Sequence, residues 1–130
     1  MASIFSRIIT GEIPCYKVAE SETCFAFLDI NPLAKGHVLV VPKIEVDYIF
    51  DLEEETYIEF QLFAKNIAIA LKKAIPCERI GVTVIGLEVP HTHIHLIPIN
   101  GVNDMNFTNK KIHFTKEEFE EIASSIASFL

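Results

Sequence analysis

A chain of 130 residues carrying 11 basic and 18 acidic side chains, net charge −7, has the size of one folding unit, and its charge disfavours nucleic acid or an anionic membrane surface as the main partner. Half of the residues are hydrophobic, enough for a sizeable core, yet no apolar stretch approaches the roughly 20 residues needed to cross a bilayer. The cysteines, Cys15, Cys24 and Cys77, are odd in number, widely spaced and without a C-x-x-C pair, which reads as reduced thiols in a cytoplasmic protein. Arg7, Glu12 and Lys17 interrupt the apolar run that a signal peptide needs, and no repeat or linker divides the chain, so a single domain over 1–130 is expected.

In chain order, Ser3 is placed to cap a short helix over residues 3–9, with Phe5, Ile8 and Ile9 on its apolar side and Gly11 and Pro14 beyond its end. Tyr16–Ala19 and Thr23–Leu28 read as two strands around a hairpin-like turn. Asp29-Ile30-Asn31-Pro32 ends the second strand, Lys35-Gly36 turns the chain, and His37–Val41 is a β-branched third strand closed by Pro42. Asp51 with Glu54 predicts a capped long helix. Its acidic first turn and its late Lys72 and Lys73 suit the helix dipole, and Tyr57, Phe60, Ala64, Ile67 and Leu71 form its apolar stripe. Pro76 stops it, Arg79–Ile85 is a fourth strand, and Gly86-Leu87-Glu88 is a turn. A fifth strand starts at His91 and ends at Pro98; residues 101–111 are loop, and Thr115 with Glu118 caps a terminal helix. Short links between the first three strands predict antiparallel pairing, giving an α+β fold with a five-stranded antiparallel sheet, one long helix and a C-terminal helix. The long helix should cover one sheet face and leave the other free.

Three of the five histidines, His91, His93 and His95, alternate with Thr92 and Ile94. Period two on a strand puts the imidazoles on one face, roughly 6–7 Å apart. Three in one register argues against chance placement. Two chemistries fit the row. Neutral imidazole ligates zinc, with His37 a further donor, though only Glu88 offers a carboxylate close by in the sequence. Neutral imidazole is also a nucleophile toward phosphorus or carbonyl centres when a neighbour holds its far nitrogen and donors meet the developing charge.

His91-Thr92-His93-Ile94-His95-Leu96-Ile97 closely resembles the histidine-triad (HIT) signature, His-x-His-x-His-x-x. Residues 4–14, 26–32 and 36–43 resemble the opening blocks of its Hint-like branch in the same order, so the likeness runs from Ile4 to Pro98. The resemblance implies a homodimer that binds purine nucleotides and hydrolyses or transfers nucleotidyl groups, especially from 5′-phosphoramidates, with no cofactor and no bound metal. It implies His93 as nucleophile, His95 on the phosphate, His91 and His37 as orienting groups, and Asp29 on the ribose hydroxyls. Phe5, Ile8, Phe27, Ile30 and Leu39 match walls of the nucleoside pocket. Before the triad the family carries glutamine and a hydroxyl residue, where this chain has Leu87 and Glu88 at the phosphate side of the site; Glu45 stands where a histidine is common. These changes bear on phosphate contacts, so a nucleotide-binding module with little turnover is the second expectation, and a zinc-binding protein using the histidine row a weaker third.

Overall fold

A computed structural model describes residues 2–130. It contains α1 (Ile4–Ile9), β1 (Lys17–Glu20), β2 (Cys24–Leu28), β3 (Val38–Pro42), α2 (Glu54–Ala74), β4 (Arg79–Thr83), β5 (Ile94–Ile99) and α3 (Lys116–Ala127), with short 3-10 turns at Ile49–Asp51 and Val102–Met105. The strands form one antiparallel sheet in the order β1-β2-β3-β5-β4.

Both long helices lie on one face. Phe60, Ala64, Ile67 and Leu71 of α2 and Phe119, Ile122 and Ile126 of α3 pack on Ala26, Leu28, Val38, Val40, Ile94 and Leu96. The opposite register of the same strands, Phe25, Phe27, Leu39 and Val41, packs on Phe5 and Ile8 of α1. Strands β2 and β3 are therefore covered on both sides, which is why they read as unbroken apolar runs. Because α1 is only six residues long, it covers part of its face and leaves an opening beside the histidines.

Three local readings change. Asp51 does not cap α2: it closes a 3-10 turn through Asp51 N–H to Tyr48 C=O at 2.9 Å, and α2 begins after Glu53. The turn forms because Ile49 and Leu52 are both drawn into the core. Pro98 does not end the last strand but lies inside it, opposite Ile80. The missing N–H is tolerated because pairing with β3 stops at Leu96, so the ladder there is one-sided. Regular pairing of β5 also starts three residues later than His91, since Thr92 N–H goes to Val46 C=O at 2.7 Å and His91 N–H to Val89 C=O at 2.8 Å.

Candidate active site

The opening beside α1 is a cavity of about 310 Å³. Phe5, Ile8, Phe27 and Leu39 wall it on the apolar side, and Ile30 stands at its rim, 64 % exposed. Asp29 lines another side just past the end of β2, where its Oδ1 accepts from Asn31 N–H at 2.8 Å in an Asx turn. His93 and His95 form the floor, their rings edge-to-face at 4.9 Å. A larger groove of about 640 Å³ between β1 and α3 shares Pro14, Cys15 and Ile30 with this cavity but is lined by no histidine.

The hydrogen bonds settle which nitrogen of each ring carries the proton. His93 Nδ1 lies 2.8 Å from the His91 carbonyl, which can only accept, so Nδ1 holds the proton and Nε2 keeps a free lone pair. On the other side, Leu33 N–H donates to His37 Nδ1 at 3.0 Å, so the His37 proton is on Nε2. That Nε2–H donates to His95 Nδ1 at 2.9 Å, which leaves the His95 proton on Nε2. The two central rings thus differ: His93 offers a lone pair and His95 offers an N–H donor. The buried ring of His91 is fixed by Nε2–H donating to Pro42 C=O at 2.8 Å and by Ser3 Oγ–H donating to Nδ1 at 2.7 Å.

Burial holds the rings of His37, His93 and His95 below the ordinary imidazole range. It pulls His37 down to about 3, helped by the nearby charges of His95 and Lys111, and pulls His95 down to about 4. Burial also lowers His93, against the upward pull of its bond to the His91 carbonyl. Asp29 is raised by burial, opposed by the Asn31 N–H and the charge of Lys111. With His37 neutral, the 3.6 Å approach of its Nε2 to Asp29 Oδ2 is a polar contact rather than an ion pair. Asp29, His37 and His95 place possible ligand atoms within 4.8 Å of one another. The 2.9 Å His37–His95 bond is shorter than the roughly 3.3 Å between two nitrogens on tetrahedral zinc, so an ion would have to open it.

Leu87 and Glu88 part company. Glu88 lines the cavity, and its charge acts to raise His93. Leu87 is 88 % exposed and borders a separate groove with Tyr48 and Phe50, outside the cavity. The loop after β5 adds a residue that no motif flagged: Phe107 packs edge-on against His95 at 4.9 Å and near His37 at 6.2 Å. Its loop is tied down by Ile112 N–H donating to Pro32 C=O at 2.9 Å, immediately beyond the Asp29 turn. Only its aromatic character in an Asn-rich stretch marked it in the sequence. Ser3 and Glu45 also reach the triad, Ser3 directly and Glu45 through Ser3 N–H and Ser6 Oγ.

A fold of this topology with a histidine pair so arranged defines a class, and comparison with known proteins gives the class its name. The HIT domain family matches residues 10–101, so the chain belongs to the HIT family. An uncharacterized HIT-like protein of Borreliella burgdorferi is 34 % identical over 95 % of both chains. The adenosine 5′-monophosphoramidase HNT1 of Saccharomyces cerevisiae is 38 % identical over 75 % of this chain and 62 % of its own length. Among solved structures, a Hit-like protein from Bartonella henselae superposes with a TM-score of 0.85 at 33 % identity, covering 98 % of this chain and 96 % of that one.

Proposed function

We propose that this protein cleaves purine nucleoside 5′-phosphoramidates, or related nucleotidyl conjugates, by way of a covalent nucleotidyl-His93. The observation that carries the reading is the paired state of the two rings: a free lone pair on His93 Nε2 beside a donating N–H on His95. His93 Nε2 attacks the α-phosphorus and the bond from phosphorus to the leaving nitrogen breaks; its electron pair stays with the nitrogen, which takes a proton from solvent as the amine departs. The imidazolium formed is stabilised by Nδ1–H against the His91 carbonyl, and His95 Nε2–H meets a phosphoryl oxygen. Water then attacks phosphorus and gives a proton back to solvent, the P–N bond to His93 breaks with its electron pair returning to Nε2, and the mononucleotide leaves. Asp29 stands where ribose hydroxyls would donate, and Phe5, Ile8, Phe27 and Leu39 give a base an apolar slot. The purine assignment is supported by the adenosine 5′-monophosphoramidases among the relatives, from S. cerevisiae and Schizosaccharomyces pombe.

Incubation with adenosine 5′-phosphoramidate tests the proposal. Release of AMP supports it. Saturable binding without release favours the second reading, a nucleotide-binding module, for which the specific observation is the acceptor Glu88 in the cavity wall.

A cytoplasmic homodimer is part of the same reading. An exposed apolar stripe, Ile58, Leu62 and Ile69, runs along the outer side of α2, and Val82 is 60 % exposed on edge strand β4. Light scattering on the purified protein should give twice the chain mass, and Leu62→Asp should shift it toward monomer. A wild-type monomer at micromolar concentration would remove the dimer from the account. Among the described residues no helix is long and apolar enough to cross a membrane.

A further inference from the structure

Glu45 is exposed in the loop after β3 and does not line the cavity, yet it takes part in a closed set of hydrogen bonds that ends at the triad. Its Oε1 accepts from Ser3 N–H at 2.7 Å and from Ser6 Oγ–H at 2.7 Å. These bonds join parts of the chain 42 and 39 residues apart, so they fasten the start of α1 to the loop after β3. Ser3 Oγ accepts from Ser6 N–H at 3.0 Å as the cap of α1. Its own proton is then free for His91 Nδ1 at 2.7 Å. Ser6 Oγ is 3.4 Å from the same nitrogen, and its proton is committed to Glu45, so Ser3 is the one strong donor that His91 Nδ1 has.

His91 is 0 % exposed, and both of its ring nitrogens are spoken for, by Ser3 and by Pro42 C=O. A neutral ring in this slot has one arrangement: proton on Nε2, lone pair on Nδ1. The backbone carbonyl of the same residue is what holds His93 Nδ1–H at 2.8 Å. The ring therefore pins the residue whose main chain aims the neighbouring imidazole. The fastened helix also carries Phe5, whose ring lies 5.9 Å from His91 and 4.9 Å from His93.

We propose that Glu45 and Ser3 are positioning residues: Glu45 latches α1 to the loop after β3, Ser3 passes the restraint to His91, and the His91 carbonyl holds His93 with Nε2 toward the cavity. The inference rests on the reading of His93 as nucleophile for its kinetic consequence, but the latch itself is a statement about proton positions. Removing the Ser3 hydroxyl leaves a buried acceptor without a donor and releases His91 from one tautomer. Removing Glu45 frees the helix start and reaches His91 only through Ser3.

The test uses the full-length protein with nitrogen-15 imidazole spectra at neutral pH, together with the kinetics of AMP release, on Ser3→Ala, Ser3→Thr, Glu45→Ala and Glu45→Gln. Wild type should show His91 protonated on Nε2 and His93 on Nδ1. Ser3→Ala and Glu45→Ala should give averaged or altered His91 and His93 signals and lower kcat about tenfold or more, with KM changed much less, as expected when a reacting group is misaimed. Ser3→Thr keeps the hydroxyl and Glu45→Gln keeps the accepting oxygen, so both should restore wild-type spectra and kcat; they also show that the position tolerates change without loss of fold. Unaltered imidazole signals in Ser3→Ala, or a rise in KM alone, would overturn the latch. Should wild type release no AMP, the functional reading fails, and the imidazole spectra still decide the latch.

Discussion

At the scale of single residues, the sequence pattern located the histidines but not their states. Spacing of two puts His93 and His95 on one face, and they do sit together at 4.9 Å. What makes them different from each other is a bond from Leu33 N–H to His37 that continues from His37 to His95, 58 residues further along the chain, and a bond from His93 to its neighbour's carbonyl. No local pattern encodes partners that far apart. The alternate position is informative in another way. Thr92 is fully buried and its Oγ1 has no hydrogen-bond partner among the described residues. An unpaired buried hydroxyl costs about 1–3 kcal/mol, so the near-isosteric Thr92→Val should leave stability unchanged or raise it by about 1 kcal/mol. Urea denaturation checks this; a loss above about 1 kcal/mol would mean the hydroxyl is bonded.

At the scale of elements, local signals succeeded where solvent surrounds them. Thr115 Oγ1 accepts from Glu118 N–H and Glu118 Oε1 accepts from Thr115 N–H, the reciprocal cap that the S/T-x-x-E pattern implies. Ser3 caps α1 from one side only, its Oγ accepting from Ser6 N–H while its own N–H goes to Glu45, and it does so although buried. The equivalent pair Asp51 and Glu54 failed because Ile49 and Leu52 are drawn into the core, and burial of those two side chains outweighs an exposed cap. The turn before β3 shows the reverse, a local residue with a tertiary reason. Gly36 has φ +89°, and a Cβ there would lie 2.9 Å from Ile75 Cγ1 and 3.0 Å from Leu71 Cδ1. Gly36→Ala meets both backbone strain and a packed helix end, so a loss of about 2 kcal/mol is expected. The same turn presents His37, so nucleotide affinity should fall along with stability. An unchanged unfolding midpoint would contradict the close approach of the turn to α2.

At the scale of the whole molecule, the strand count, antiparallel pairing and helix placement were all legible, because the apolar runs and the stripe of α2 are strong signals. The strand order was less so: β5 enters between β3 and β4, and that insertion is what sets the triad beside Leu39 and under α1. The buried rings then give the fold a pH dependence. Protonation of His37 and His95 is displaced in the folded state to about 3 and about 4, while the unfolded chain takes up protons near 6.5. Below 6.5 the unfolded state binds more protons than the folded one, so their contribution to stability is full above that value and is lost as pH falls toward 4. Each histidine contributes a slope of up to about 1.4 kcal/mol per pH unit. Asp29, raised by burial, works in the opposite sense at the acid end. Urea midpoints at fixed ionic strength should fall between pH 6.5 and 4.5, and less steeply in His37→Gln; a flat profile would contradict the neutral buried pair.

The central claim concerns one atom, His93 Nε2, with its lone pair open to the cavity. It is tested most directly by mixing the protein with adenosine 5′-phosphoramidate, quenching in neutral denaturant within the first turnover, and weighing the intact chain. The account predicts a gain of one nucleotidyl group on wild type that maps to His93. It also predicts none on His93→Ala, with AMP affinity retained within about tenfold, or 1.4 kcal/mol. An adduct on any other residue, or AMP release by His93→Ala at the wild-type rate, would contradict it.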